Sequence, residues 1–174
     1  MFGLLGERVS ISMLAQTAGA IPSSHGPQGV ADQTLVHASK LDLLIIPGGI
    51  GTRKAVEDTA FMELLKIRAT EARLVATVCT GSALLAKTGL LDNVRATSNK
   101  LAFDWVTSQG PQVNWIRQAR WVEEGKFFTS SGISAGIDMA LGLIAHVFDR
   151  ETALQVAHRA EYVWNENRDI DPFA

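Results

Sequence analysis

A single cysteine stands in 174 residues. That excludes an intrachain disulfide and any zinc site built on several cysteines, and a lone thiol suits a reducing compartment. Positive charge is not in excess: 16 Lys and Arg against 18 Asp and Glu give a formal net charge of −2. With no basic block either, nucleic acid is not an expected partner, nor is a polybasic membrane anchor. Long apolar runs are also missing. Residues 1–6 are apolar but lack the basic start and cleavage site of a leader. The longest apolar helical stretch, residues 133–148, carries Asp138 and His146 and falls short of the roughly 20 residues that span a bilayer. The 4 histidines are scattered, with no His-x-His or His-Glu-x-x-His, so no metal site is expected. There is no internal repeat, low-complexity tract or interior linker. What remains is one globular domain over residues 1–174, expected in the cytoplasm, with a polar tail at 165–174 expected to be less ordered.

What is present is an alternation of short β-like runs and helical stretches. Residues 9–14 (VSISML) alternate with period two, as a half-buried strand does. Residues 26–29 are turn material, and 30–36 form another extended piece. Residues 41–46 are mostly apolar and stop at Pro47-Gly48-Gly49, as buried parallel strands do. A helix is expected over 52–72, and a second buried strand over 73–78. Cys79-Thr80-Gly81 follows that strand at once, then a helix over 82–88 with Gly89 placed to end it. Residues 95–97 form a brief strand and 100–107 a short helix. Two strands at 119–122 and 126–129 are joined by a turn. A helix over 134–148 presents Ile133, Ile137, Ala140, Leu141, Ile144 and Phe148 on one face. A last helix is expected over 150–163. The order predicts an α/β sandwich with a mainly parallel sheet, whose active site lies beyond the carboxyl ends of the strands. Two loops qualify, residues 47–52 and 79–81.

Cys79 sits at the corner between an apolar strand and a helix. A sharp strand-to-helix turn holds its corner residue strained and exposed, the geometry of a nucleophile elbow. A thiol at a helix N-terminus meets free N–H groups that favour a thiolate and can bind an oxyanion. The competing reading is an inert buried core cysteine. In the loop Pro47-Gly48-Gly49-Ile50-Gly51, glycines let backbone N–H groups approach a ligand. No Gly-Lys-Ser/Thr follows, so the loop is not a nucleotide-binding P-loop.

Together, residues 44–49 (LIIPGG), 78–81 (VCTG) and 129–138 (TSSGISAGID) resemble the DJ-1/PfpI superfamily over about residues 1–163. The Cys-Thr-Gly form points to its isonitrile hydratase-like branch. The resemblance implies a flavodoxin-like three-layer sandwich, a homodimer, a small-molecule substrate, and no organic cofactor or metal. It implies that Cys79 attacks the terminal carbon of an isonitrile, that an acid assists proton transfer, and that water releases an N-substituted formamide. Thr80 matches the residue whose N–H and hydroxyl hold developing charge. Gly49 matches the glycine whose N–H faces the cysteine. Gly48, Gly49, Ile50 and Asn99 complete the expected oxyanion- and substrate-binding set. The alternative is a redox or stress sensor in which Cys79 is oxidised. A ligand-sensing half of a transcription regulator ranks last, because no DNA-binding segment is expected after the tail.

Two departures from the family pattern stand out. The family begins with an apolar strand and a turn bearing an acid, whereas Met1-Phe2-Gly3 matches the interior of the helix that follows. Glu7 lies too late to be that acid. Where relatives often carry a histidine, this chain has Asn99, which bonds hydrogen but is no base near neutral pH; that speaks against protease and amidotransferase-type chemistry. Among other polar residues, His25 is expected in a solvated loop. Asp138 is expected to satisfy loop N–H groups around Ser131 and Gly132, and Trp105, Trp115, Trp121 and Trp164 to pack in the core or an interface.

Overall fold

The computed structural model describes residues 1–174. A 3₁₀ turn at Phe2–Arg8, kinked at Gly6 with φ 62°, opens the chain. Then come β1 (Leu14–Ala15), β2 (Gly19–Pro22), β3 (Gln28–Ala31), β4 (Gln33–Thr34) and β5 (Leu43–Ile46). They are followed by α1 (Thr52–Ala55), α2 (Thr59–Glu71), β6 (Leu74–Val78), α3 (Gly81–Lys87), β7 (Arg95–Ala96) and α4 (Phe103–Gln109). The chain continues through β8 (Asn114–Trp115), β9 (Trp121–Glu124), β10 (Phe127–Ser130), α5 (Ile133–Val147) and α6 (Arg150–Arg159).

The main sheet runs β5-β6-β10-β9. β6 pairs in parallel with β5 (Ile46 opposite Thr77) and with β10 (Ser130 opposite Val78). Only β9 is antiparallel, joined to β10 through the tight turn at Gly125, φ 58°. Helices cover both faces. Leu44, Ile46 and Val75 pack under α2 and α3 against Leu65, Leu84 and Leu85. Leu74, Ala76 and Phe128 pack on the other face against Met139 and Leu143 of α5. Strand side chains alternate between the two faces, so a β6 sequence apolar on both is dictated by its central place. The protein is thus an α/β sandwich with a mainly parallel sheet, as the alternation of elements predicts, and flavodoxin-like, as the resemblance implies.

Several expected elements differ in detail. Residues 9–13 form no strand, with Ile11 62% and Met13 53% exposed, although the Met13 carbonyl accepts the Asp32 N–H at 2.8 Å. Only Leu14 and Ala15 find a strand partner, in β4. The period-two pattern is real, but no buried face receives it. The expected 52–72 helix breaks before Thr59, because the Asp58 carboxylate accepts the Phe61 N–H at 3.0 Å and caps a new helix. Gly89 does end α3, at φ 81°. On α5, Ile133 is 82% exposed rather than part of the buried face; the buried side consists of Ala135, Asp138, Met139, Leu141, Leu143 and Ile144. The last helix ends at Arg159 rather than 163, with Glu161 turned to φ 49°. The polar tail is held in place: the Arg168 carbonyl accepts the N–H groups of Arg120 and Trp121, and the Asp171 N–H donates to Gln118.

Candidate active site

β6 stops at Val78, α3 starts at Gly81, and the corner residue Cys79 has φ 56°. A non-glycine residue rarely adopts this left-handed conformation and holds it only when its surroundings over-determine it. Here both flanking peptide groups are tied. The Cys79 N–H donates to the Ser131 carbonyl at 3.0 Å. The Cys79 carbonyl accepts the hydroxyls of Ser82 and Ser98, each at 3.0 Å. The residue as a whole is half-buried.

Two glycines make the corner possible. A Cβ on Gly48 would lie 2.7 Å from Thr80 N and Val78 O and 2.9 Å from Cys79 Cβ. A Cβ on Gly81 would strike the carbonyls of Ile46 and Pro47. The 47–51 loop and the elbow therefore touch backbone to backbone. Thr80 staples them together. Its hydroxyl accepts the Gly49 N–H at 2.9 Å and lies 3.2 Å from the Gly49 carbonyl, to which it donates. Thr52 adds its own hydroxyl, 2.8 Å from the Gly49 carbonyl and 3.1 Å from Thr80 Oγ1. Gly49 needs its glycine for another reason, a φ of 125°.

The structure thus brings Cys79, Thr80, Gly48 and Gly49 into one knot, but the Gly49 N–H, expected to face the cysteine, is taken by the Thr80 hydroxyl instead. Ile50 stands at the loop tip, 62% exposed. Asn99 belongs to a third loop. Its Oδ1 accepts the Ala102 N–H at 3.0 Å, and its amide nitrogen faces Gly132, next to the Ser131 that holds Cys79. His25 sits exposed in the turn between β2 and β3, where its N–H bonds locally to Ser23.

Sequence reasoning missed the hydroxyls. Ser82, Ser98 and Thr52 carry no motif; the only signal is small polar residues beside glycine-lined loops. It also missed Lys100. This buried ammonium donates to Thr97 Oγ1 at 2.9 Å and the Ala119 carbonyl at 2.7 Å, and stands 3.8 Å from Asp171. Burial pushes it down to about 8, against the opposing pull of Asp171. Asp138 was expected to bind loop N–H groups around Ser131; instead it pairs with Arg120 and ties down the tail. On the far side of Val78, an apolar groove of about 250 Å³ runs between Ile45, Ile133, Ile137 and Met139 to Phe2.

A parallel sheet with a strained cysteine at a strand–helix corner, bracketed by a Pro-Gly-Gly loop, defines a recognisable class. The chain belongs to the DJ-1/PfpI family, whose model matches residues 4–146. It is 33% identical over 154 residues to an isonitrile hydratase of Pseudomonas putida, covering 88% of this chain and 66% of the hydratase. It is 32% identical over 147 residues to an HTH-type transcriptional regulator of Pseudomonas aeruginosa, covering 84% of this chain and 43% of the regulator. The crystal structure of a ThiJ/PfpI family protein from Pseudomonas syringae superposes with a TM-score of 0.80 at 28% identity, over 94% of this chain and 64% of that one. The chain spans less than two thirds of the length of each of these proteins. No helix is long and apolar enough to cross a membrane.

Proposed function

We propose that the protein is a cysteine-dependent hydratase that converts a small isonitrile to an N-substituted formamide, acting as a cytoplasmic homodimer. The observation that carries this reading is Cys79, a half-buried residue held at φ 56° with both flanking peptide groups bonded. The thiolate adds to the terminal carbon of R–N≡C, and that carbon takes up a proton to give a thioimidate. Water then adds to the same carbon, and loss of the Cys79 thiolate leaves R–NH–CHO. In this reading Thr80, Gly48, Gly49, Ile50 and Asn99, from the loops around the elbow, are the substrate-binding set. The exposed Ile45 and Ile133 and the groove between them support burial against a second copy.

The test is formamide formation from simple alkyl and aryl isonitriles. Cys79→Ser abolishes turnover, because a hydroxyl with no base beside it is a poor nucleophile; full activity in that variant removes the assignment. Light scattering checks the dimer, and a mass near that of one 18.8 kDa chain rejects it.

One observation favours a second reading. No hydrogen bond ties the Cys79 thiol to a carboxylate or imidazole, and the groups bonded to its peptide are backbone and hydroxyls. A thiol without an acid partner suits a sensor, in which two equivalents of peroxide convert the thiol to sulfinate and release two of water. A chain inert toward every isonitrile that forms a stable Cys79 sulfinate takes this second reading to first place.

A further inference from the structure

Asp138 is fully buried on α5, and its carboxylate takes four donors. Oδ2 accepts two nitrogens of the Arg120 guanidinium, at 2.7 and 2.6 Å. Oδ1 accepts the Tyr162 hydroxyl and the Asn165 N–H, both at 3.0 Å. None of these groups touches Cys79. Arg120, however, is one residue from it through backbone bonds. The Arg120 carbonyl accepts the Ser131 N–H at 2.9 Å, and the Ser131 carbonyl accepts the Cys79 N–H at 3.0 Å.

The position of that relay matters. The antiparallel ladder of β9 and β10 ends at Trp121 opposite Ser130. The Arg120–Ser131 bond lies one residue beyond it, where the sheet no longer fixes the backbone. Besides a long 3.5 Å contact from its Nη2 to the Ser134 hydroxyl, two other restraints act on Arg120. One is its guanidinium on Asp138. The other is its N–H on the Arg168 carbonyl of the tail, and the tail is itself fastened at Asn165 to the same carboxylate. Both routes converge on Asp138. We infer that Asp138 is a positioning residue for Cys79: through Arg120 and Ser131 it holds the nucleophile's N–H and so maintains the left-handed corner that presents the thiol. With the carboxylate gone, the buried guanidinium keeps only its long contact to Ser134 and must move to find new partners. Ser131 drifts with it, and the strained Cys79 peptide relaxes toward an ordinary conformation.

The inference rests on Cys79 being the reactive group, but its test does not require turnover. The measurements are the iodoacetamide rate at Cys79 and hydrogen exchange of the Cys79 amide, in folded protein. The variants are Asp138→Asn, Tyr162→Phe, and Leu65→Ala as a destabilised control in the core cluster on the opposite face. In Asp138→Asn, exchange at Cys79 is expected to rise about tenfold and alkylation to slow about fivefold, while Leu65→Ala leaves both within about twofold. A folded Asp138→Asn protein with wild-type exchange and alkylation overturns the assignment, and so does a Leu65→Ala protein that shifts as far. If Asp138→Asn does not fold, Tyr162→Phe decides: exchange at Cys79 about two- to threefold faster supports the relay, and a wild-type rate overturns it. A wild-type thiol that alkylates readily but hydrates no isonitrile ends the hydratase reading and leaves this assignment intact.

Discussion

Among the first forty residues only Leu5, Ala31, Leu35 and Ala38 are buried, and the strands there are joined in two-stranded ladders. Between Leu74 and Leu91 the reverse holds: β6 and α3 are sunk in the molecule, with Val75, Ala83, Leu85 and Leu91 fully buried. The two regions differ in what supports their backbone. The β2–β3 hairpin leans on its own hydrogen bonds and little else. The elbow is gripped by neighbours from three separate loops, and only such a grip holds a cysteine at positive φ. The candidate nucleophile therefore sits in the more deeply packed of the two regions.

That contrast can be broken or sharpened by substitution. The largest effect is expected at Leu85, which is fully buried. Leu85→Ala should lower unfolding free energy by about 2–5 kcal/mol in urea titration, whereas the exposed Ile11→Ala should change it by less than about 0.5 kcal/mol. Comparable losses at the two sites would mean that the early segment is anchored in a way its exposure does not show. Next is Gly48→Ala, whose methyl group would press on backbone atoms of Val78 and Thr80. Those atoms cannot yield without moving the elbow, so a stability loss of about 1–3 kcal/mol is expected together with slowed Cys79 alkylation. Thr80→Val removes the staple while keeping the shape. It strands the Gly49 N–H and should lower stability by about 1–3 kcal/mol, with Thr80→Ser restoring most of it.

The smallest effect is a pH dependence. Lys100 is pushed down to about 8 in the folded protein, from an ordinary 10.5, chiefly by burial. Between those values the unfolded chain holds a proton that the folded one has released, so this residue makes stability rise with pH across that window. Below about 8 both states are protonated and the contribution is flat. Urea midpoints measured from pH 7.5 to 10 should show the rise in the wild type and lose it in Lys100→Met; a wild-type slope in the variant would assign the effect elsewhere.

Much of this was legible in the sequence, for physical reasons that can be named. β5 and β6 are short apolar runs, the first ended by Pro47-Gly48-Gly49 and the second by Cys79-Thr80-Gly81, and such runs mark parallel strands. Cys79 was found by its place between such a strand and a helix, not by its residue type. The failures have separate causes. Periodicity reports that a face exists but not whether anything covers it, so residues 9–13 read as a strand and Ile133 as core. Hydrogen bonds between distant residues leave no periodic trace, which is why Ser98, Ser131 and the Arg120–Asp138 pair emerge only in three dimensions. The break before Thr59 was the one readable miss, since Asp58 is a good helix cap in plain sight.

The left-handed φ at Cys79 has a consequence for how this protein can be improved. A residue in that conformation costs about 1–3 kcal/mol, which glycine would largely recover against its own entropic penalty of about 0.5–1 kcal/mol. A library screened for thermal tolerance alone should therefore enrich Cys79→Gly, and each round of such selection would discard the one thiol in the chain. Robustness and reactivity compete here at a single codon, and a thermostabilised descendant of this protein is trustworthy only if it was also selected for its sulfur.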